Sequence, residues 1–433
     1  MTLALHTEDP DAQPPAKGEL VAQASGVGTR DLVVVGVGEA GPRLLDRLSA
    51  AGWRLIGVGG RTDPAPQLAE QLDVPLWSPE LVIRTVRARA DRAPIAGIVG
   101  ATGEHLALAA QVADALGLHS AGVLAATASR DAGVLRSVLG VANVPLPAWR
   151  LVRDELEAVA AVSALGLPVL VRPARGEAGG PNRVGQPVDL APAVAAASAL
   201  RSQADQGPDL LIEQDVPGRR LGVVCATSDG RTTVVAVRDL AFDPLGSGRG
   251  EVVDPGSPLS SAGYLSRTAS AALTALRLRD GISQVDLILD PGGSVYVSDV
   301  RCGLPDELTL MLVRLAYGID LTAVAAALAA GLTPALPPHP DGPNGAFRWM
   351  PAIPGEDQRA AALAYFTLDP HQLPDTRHDS IRAATPWLHL LDAEASQGAA
   401  RAVVTGANAR QCHARLRRLR TDLVVSYRLG GRL

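Results

Sequence analysis

Two aspartates in the segment QVDLILDPGGSVYVSDVRCG are spaced so that they could hold a cation together. The turn signal DPGG predicts a β-hairpin over residues 284–301. Its register places Asp286 opposite Val297. Asp286 and Asp299 are then diagonal neighbours on one face of the sheet, and Arg301 is next along that face. Carboxylates this close repel each other unless a cation neutralises them, and Mg²⁺ bound to nucleotide phosphates prefers one or two carboxylates. The alternative is that both aspartates are solvated on an exposed sheet face.

A second candidate site is the glycine-rich run VVVGVGEAG near the start of the chain. It places Gly36, Gly38 and Gly41 in GxGxxG spacing, directly after a predicted strand and before a predicted helix. A turn of this kind can hold a phosphate at the helix N-terminus. Arg61 stands near the end of the next strand, where an acid would be expected, and suits a 2′-phosphate. The run is therefore a candidate NADP site, and the alternative is a tight turn that binds nothing.

The composition excludes several classes of protein. The chain has 433 residues, a net charge of -5 and 20% charged residues. At about 100–200 residues per domain this length allows two to four domains. We find no basic stripe for nucleic acid, and no run of the about 18 apolar residues that would cross a membrane. The three cysteines form no CxxC pair, and the N-terminus lacks a signal pattern, so a cytoplasmic protein without a zinc site is expected.

The elements that must position these residues change in type along the chain. To about residue 120, strands alternate with helices, which implies a parallel sheet. Over 166–303, strands alternate with glycine-rich turns, and two helices interrupt them. The proline-rich stretch 334–344 reads as a linker. A small α/β unit follows, with a predicted helix over 409–419 and a predicted final strand over 423–427.

The order of motifs between about residue 125 and residue 332 resembles the ATP-grasp superfamily, in particular its carboxylate–amine ligases that make dipeptides and related amides. The motifs, in chain order, are VRP at 171–173 with the glycine-rich 176–180, LIEQDV at 211–216, Asp286 in the first hairpin strand, DVR at 299–301 in the second, and YGIDL at 317–321. The resemblance implies an α/β ATP-grasp fold. The implied divisions are a disordered tail over 1–28, a Rossmann-like N-terminal domain over 29–122, the ATP-grasp core over 123–333, a linker over 334–344 and a C-terminal ATP-grasp lid subdomain over 345–433.

The resemblance also implies cofactors, substrates and site residues. ATP and Mg²⁺ are expected, with a small carboxylate and an amine as substrates, an acyl-phosphate intermediate and a role in specialised metabolism. No nucleic acid or membrane partner is implied, and a homodimer or a partner protein is possible. The implied residues are Arg172, Gly179, Gly180, Glu213, Gln214 and Val216 for the nucleotide, Asp286 and Asp299 for the metal, and Arg301 for catalysis.

The chain departs from the family pattern at several of these positions. The first phosphate-binding lysine of the family aligns with Ala132, and the second aligns with Arg172. The metal-binding asparagine aligns with Arg301, and the catalytic arginine aligns with Gly303. A ribose-binding glutamate aligns with Arg220. The chain contains a single lysine, so an arginine in place of a lysine is weak evidence of lost function.

Two hypotheses account for these departures. In the first, the enzyme works with a rearranged site, in which Arg301 replaces the charge of one metal ion and a single Mg²⁺ remains on Asp286 and Asp299. Arg175 or Arg183 would then replace the lost lysine. In the second, the site has decayed, and the chain is a catalytically inactive subunit that binds a ligand or a partner.

Overall fold

The computed structural model of this chain describes residues 30–40, 42–60, 65–176, 181–200, 210–243, 250–334, 359–367, 385–394 and 399–430. The predicted tail over 1–28 and nearly all of the predicted linker lie outside these residues. So do Gly179 and Gly180 of the glycine-rich loop.

The N-terminal unit is a parallel four-stranded sheet with helices. Its strands are β1 (Asp31–Val35), β2 (Arg54–Gly59), β3 (Leu68–Asp73) and β4 (Gly97–Gly100), and its helices are α1 (Pro42–Ala50), α2 (Pro79–Ala90) and α3 (Leu106–Leu116). The strand order is β3-β2-β1-β4, and β1 is buried along its whole length because it is the central apolar strand DLVVV. The predicted parallel sheet is confirmed.

A small antiparallel sheet comes next in the chain. Helices α4 (Val123–Ala128) and α5 (Ala132–Val141) lead into strands β5 (Trp149–Val152), β6 (Val169–Pro173), β7 (Asn182–Val184) and β8 (Leu210–Gln214), in the order β5-β8-β6-β7. Helices α6 (Glu155–Leu165) and α7 (Leu190–Ala199) cover one face of this sheet. Their small, apolar residues, mostly alanine, allow close packing on the valines and leucines of the strands.

A large antiparallel sheet forms the centre of the molecule. Its strands are β9 (Arg219–Ser228), β10 (Arg231–Asp239), β11 (Gly250–Val253), β12 (Gly281–Leu289), β13 (Val295–Cys302), β14 (Ala360–Thr367), β15 (Leu388–Glu394) and β16 (Ala399–Gly406). The order is β13-β12-β9-β10-β11-β14-β16-β15. One face packs on α4, α5 and α8 (Gly263–Ala275), and the other packs on α9 (Glu307–Tyr317) and α10 (Leu321–Ala329).

Helix α10 also joins the large sheet to the N-terminal unit. Ala326 is completely buried together with Leu32, Val34 and Leu55 of the parallel sheet. Gly97 of β4 lies so close to α10 that a Cβ there would be 2.5 Å from the carbonyl oxygen of Ala329. This contact holds the start of β4 against α10, which also packs on the large sheet.

The predicted final strand over 423–427 is wrong, because the C-terminal helix α11 (Ala409–Gly430) runs through it. The local run LVVSY favours a strand by residue type. No glycine or proline interrupts the chain between Ala409 and Gly430, however, so the helix that begins at Ala409 continues.

No single helix among the described residues is long and apolar enough to cross a membrane. Helices α9 and α10 pass that test only when taken together, and the chain bends by 103° between them.

Candidate nucleotide site

Asp286 and Asp299 lie directly opposite each other on β12 and β13. The predicted diagonal register was wrong, because a bulge between Asp286 and Leu287 leaves Ser298 as an extra residue on β13. The Ser298 hydroxyl donates to the backbone carbonyl of Asp286 at 3.1 Å. The side chains of Asp286 and Asp299 are only 19% and 28% exposed, so neither is solvated on an open sheet face.

Arg301 neutralises Asp286. Its Nη2 donates to Oδ2 of Asp286 at 2.7 Å, and the two side chains project from the same face of the hairpin. The other oxygen, Oδ1, is buried and has no hydrogen-bond partner among the described residues. Burial raises the pKa of Asp286, and the positive charges of Arg301 and Arg238 offset part of that rise.

Arg172 joins the small sheet to the large sheet. It projects from β6, with Nε 3.6 Å from Oε1 of Glu213 and Nη1 3.8 Å from Oδ2 of Asp299. Its Nε and Nη2 are buried, and neither has a hydrogen-bond partner in the described part of the chain. A buried donor without a partner costs about 1–3 kcal/mol. The arrangement therefore favours an anion beside Arg172, where the small sheet meets the large sheet.

Arg136 lies behind Arg172 and was not predicted from the sequence. It is completely buried, and its Nη2 donates to Oε2 of Glu213 at 2.7 Å and to the backbone carbonyl of Ser298. It fixes Glu213, and with it Arg172, and it satisfies the carbonyl that the bulge leaves unpaired. The available signal was a lone charge in the apolar helix AGVLRSVLGV.

A second buried ion pair lies near Asp286. Arg238 on β10 donates to Oε2 of Glu251 on β11, and its Nη1 donates to Oε1 of Gln284 on β12 at 2.7 Å. The side chain reaches Gln284 by crossing β9 at Gly222, where a Cβ would lie 3.3 Å from Arg238 Nη1 and 3.3 Å from Asp286 Oδ1. Because residue 222 has no side chain, the guanidinium of Arg238 can lie close to Asp286.

The predicted adenine segment differs from the expected arrangement at Glu213. Its side chain is bound to Arg136 and faces Arg172, so both of its oxygens have cationic neighbours. Gln214 ends β8 and is exposed, and Val216 is half-buried in the loop that follows.

The predicted substitutes for the lost lysine lie in two different places. Arg175 donates from Nε to Oδ2 of Asp131 at 2.9 Å, directly before the buried Ala132. Arg183 instead pairs with Asp215 at 2.7 Å, in the predicted adenine segment, where Asp215 also contacts Arg220. Of these two arginines, only Arg175 therefore lies beside Ala132, where the resemblance predicted a lysine.

Gly303, where the resemblance predicted a catalytic arginine, has a backbone that disfavours any other residue. Its φ is +98°, and a Cβ there would lie 3.6 Å from Cδ2 of Leu106 on α3. The difference from the expected arginine therefore lies in the backbone conformation as well as in the side chain.

The first glycine motif packs against a side chain. Gly36 has a φ of +80°, and a Cβ there would overlap the ring of His105 at 2.2 Å. His105 is buried and contacts Thr102 at 2.9 Å. The ring fills the space that a pyrophosphate would need beside Gly36, which disfavours the dinucleotide hypothesis. Gly41 and Arg61 lie outside the described residues.

Comparison with known proteins agrees with this architecture. Residues 135–336 match the family model described as carbamoyl-phosphate synthase L chain, ATP binding domain. The carbamoyl phosphate synthase large chain of Rubrobacter xylanophilus is 24% identical over 314 residues, which cover 68% of this chain and 29% of that protein. The D-alanine–D-alanine ligase of Kineococcus radiotolerans is 31% identical over 191 residues, which cover 39% of this chain and 49% of that protein.

Among solved structures, the L-amino acid ligase from Bacillus licheniformis has a TM-score of 0.66 at 15% identity, and the match covers 91% of this chain and 97% of that one. The mixed α/β architecture and these matches show that the chain has an ATP-grasp fold. It spans less than a third of the length of the carbamoyl phosphate synthase large chains that it matches.

Proposed function

We propose that the chain binds ATP between its small and large sheets and uses it to join a small carboxylate to an amine, with release of ADP and phosphate. The observation that carries the proposal is Arg172. It lies between Glu213 and Asp299, one from each sheet, and it keeps two buried N–H groups without a hydrogen-bond partner among the described residues. Phosphate oxygens would satisfy these donors.

The proposed reaction has two steps. A carboxylate oxygen of the acid attacks the γ-phosphorus of ATP, the bond to the bridging oxygen breaks, and ADP leaves. The amine nitrogen then attacks the acyl carbon, phosphate leaves, and the nitrogen gives a proton to solvent. Positioning and positive charge around the phosphate oxygens drive such chemistry. Arg172 supplies that charge from one sheet, and Arg301 supplies it from the other.

Asp286 and Asp299 fit the expected magnesium ion poorly in this arrangement. Arg301 occupies one oxygen of Asp286, and the other oxygen is buried against Gly222. No group of three or more His, Cys, Asp or Glu side chains within the described ranges could hold a metal ion. The proposal therefore assigns no step to a metal.

The second candidate function is an ATP-grasp subunit that binds nucleotide without turnover and presents it, or a second ligand, to a partner. Gly303 favours this candidate, because its φ of +98° disfavours the arginine that the family uses there. Ala132 favours it as well, since the position is buried and carries no charge. Both candidates share the nucleotide site and differ only in the release of ADP.

Calorimetric titration with ADP and ATP tests the site. Arg172→Met should weaken binding by about 30-fold or more, because two charged hydrogen bonds to phosphate are lost. The matched control is Arg153→Met, since Arg153 pairs with Glu157 on the surface of α6. Failure of the wild-type protein to bind either nucleotide at millimolar concentration would overturn the proposal.

A second measurement separates the two candidates. Release of ADP is followed with a panel of amino acids, other carboxylates and amines. Production of ADP that depends on both an acid and an amine supports the ligase. Tight binding of ATP without release of ADP under any combination supports the subunit.

A further inference from the structure

The two aspartates of the hairpin already have positive partners from opposite sides. Arg301 bonds to Asp286 at 2.7 Å, and Arg172 lies 3.8 Å from Asp299. Two carboxylates that face each other across a strand pair are unfavourable without such neutralisation. In this chain two guanidinium groups provide it, so the pair is stable without a bound ion.

The two carboxylate oxygens of Asp286 have different surroundings. Its two oxygens point to different neighbours, Oδ2 to Arg301 and Oδ1 to the space above Gly222. A cation held jointly by Asp286 and Asp299 would have to compete with the Arg301 ion pair. Arginine keeps its charge at every pH relevant to proteins and matches a carboxylate geometrically, so this ion pair persists across that pH range.

Arg301 is also placed to act on a ligand. Its side chain is 39% exposed, whereas the side chain of Asp286 is 19% exposed, so Arg301 is the more accessible member of the pair. Arg172 reaches the same hairpin from the small sheet. Two positive groups therefore approach the cleft from opposite sides, at the place where nucleotide phosphates are proposed to bind.

We infer that Arg301 is a built-in replacement for the divalent cation, so that this cleft binds a nucleoside diphosphate or triphosphate without Mg²⁺. The inference rests on the proposed nucleotide site and specifies its metal requirement. Position 301 is the decisive residue, because its guanidinium carries the charge that the inference assigns to it, and an asparagine there would carry none. Replacing Arg301 with asparagine should return the cleft to dependence on a metal.

The experiment is calorimetric titration of ADP, with excess EDTA in one series and millimolar Mg²⁺ in the other. Wild-type protein should bind ADP with an affinity that changes by less than about threefold between the series. Arg301→Asn should lose about 30-fold or more with EDTA, and Mg²⁺ should restore most of that loss. Arg301→Lys, which keeps the charge, should remain independent of Mg²⁺.

Arg314→Asn is the matched control, because Arg314 is exposed in the last turn of α9. Thermal melting of every variant verifies that it is folded, and Arg301→Lys tests the inference even where Arg301→Asn does not fold. Binding of ADP to the wild type only with Mg²⁺ would overturn the inference and leave the nucleotide site intact. Absence of binding in both series would overturn the inference and the proposed function together.

Discussion

Asp286 and Asp299 face each other across β12 and β13 because Ser298 is bulged out of the ladder between them. The bulge turns the carbonyl of Ser298 toward Arg136, a completely buried residue of α5. The same arginine holds Glu213 of the small sheet. The position of the acid pair thus depends on a buried cation contributed by a different layer of the fold.

Replacing Arg136 should destabilise the protein strongly. Arg136→Met leaves Glu213 as a buried carboxylate whose remaining cation, Arg172, is 3.6 Å away. Breaking a buried pair by removing one partner costs about 3–5 kcal/mol. Urea denaturation should show this loss in the free energy of unfolding. The double variant Arg136→Met with Glu213→Gln should recover part of it, and a loss in the single variant below about 1 kcal/mol would contradict the assignment.

Glu251 should make stability depend on pH in the acidic range. Burial raises its pKa, Arg238 offsets part of the rise, and the negative charges of Asp306 and Asp286 add to it. A carboxyl whose pKa is raised on folding contributes stability that is fully present below its ordinary pKa of about 4.3. That contribution is lost as pH rises through the raised value.

Denaturation midpoints of Glu251→Gln and wild type, compared from about pH 4 upward, measure this contribution. The advantage of the wild type over the variant should shrink as pH rises. The exposed Glu80→Gln is the control and should follow the wild type at every pH. An advantage that grows with pH would show that the ion pair with Arg238 outweighs burial.

Much of the architecture could be predicted because it depends on local pattern. The apolar run DLVVV, the turn DPGG and the order of glycine-rich motifs are readable from neighbouring residues, and they predicted a strand of the parallel sheet, the hairpin and the fold. The register of the hairpin was not readable, since the bulge at Ser298 is satisfied by Arg136, which is 162 residues away in sequence. The C-terminal helix was missed because its β-branched run favours a strand locally.

The site could be predicted by position but not by partner. Asp286 and Asp299 were expected to need a cation, and the resemblance to ATP-grasp ligases predicted that this cation is Mg²⁺. Which arginine lies against which acid depends on the packing of the two sheets. Arg172 and Arg301 come from different sheets, and Arg238 reaches the site only because Gly222 leaves room for it. Such cross-layer contacts have no signature in residue spacing.

The three cysteines should be unreactive in the folded protein. Cys225, Cys302 and Cys412 are buried, and burial raises the pKa of each thiol to about 12. The thiolate is the reactive form, so very little is available near neutral pH. Titration with a thiol reagent should label none of them in the native state and all three in guanidinium. Rapid native labelling of any one would contradict the packing of that residue.

An arginine at position 303, which the resemblance predicted there, should destabilise the protein and should not speed the release of ADP. Gly303→Arg puts a side chain on a backbone with φ of +98°, against Leu106. The expected cost is about 1–3 kcal/mol, measured by chemical denaturation. Gly140→Arg is the control, because Gly140 is an exposed helical position with open space around it and should gain up to about 1 kcal/mol. A stable Gly303→Arg variant that releases ADP faster than the wild type would contradict this prediction. It would show that the backbone at position 303 tolerates an arginine.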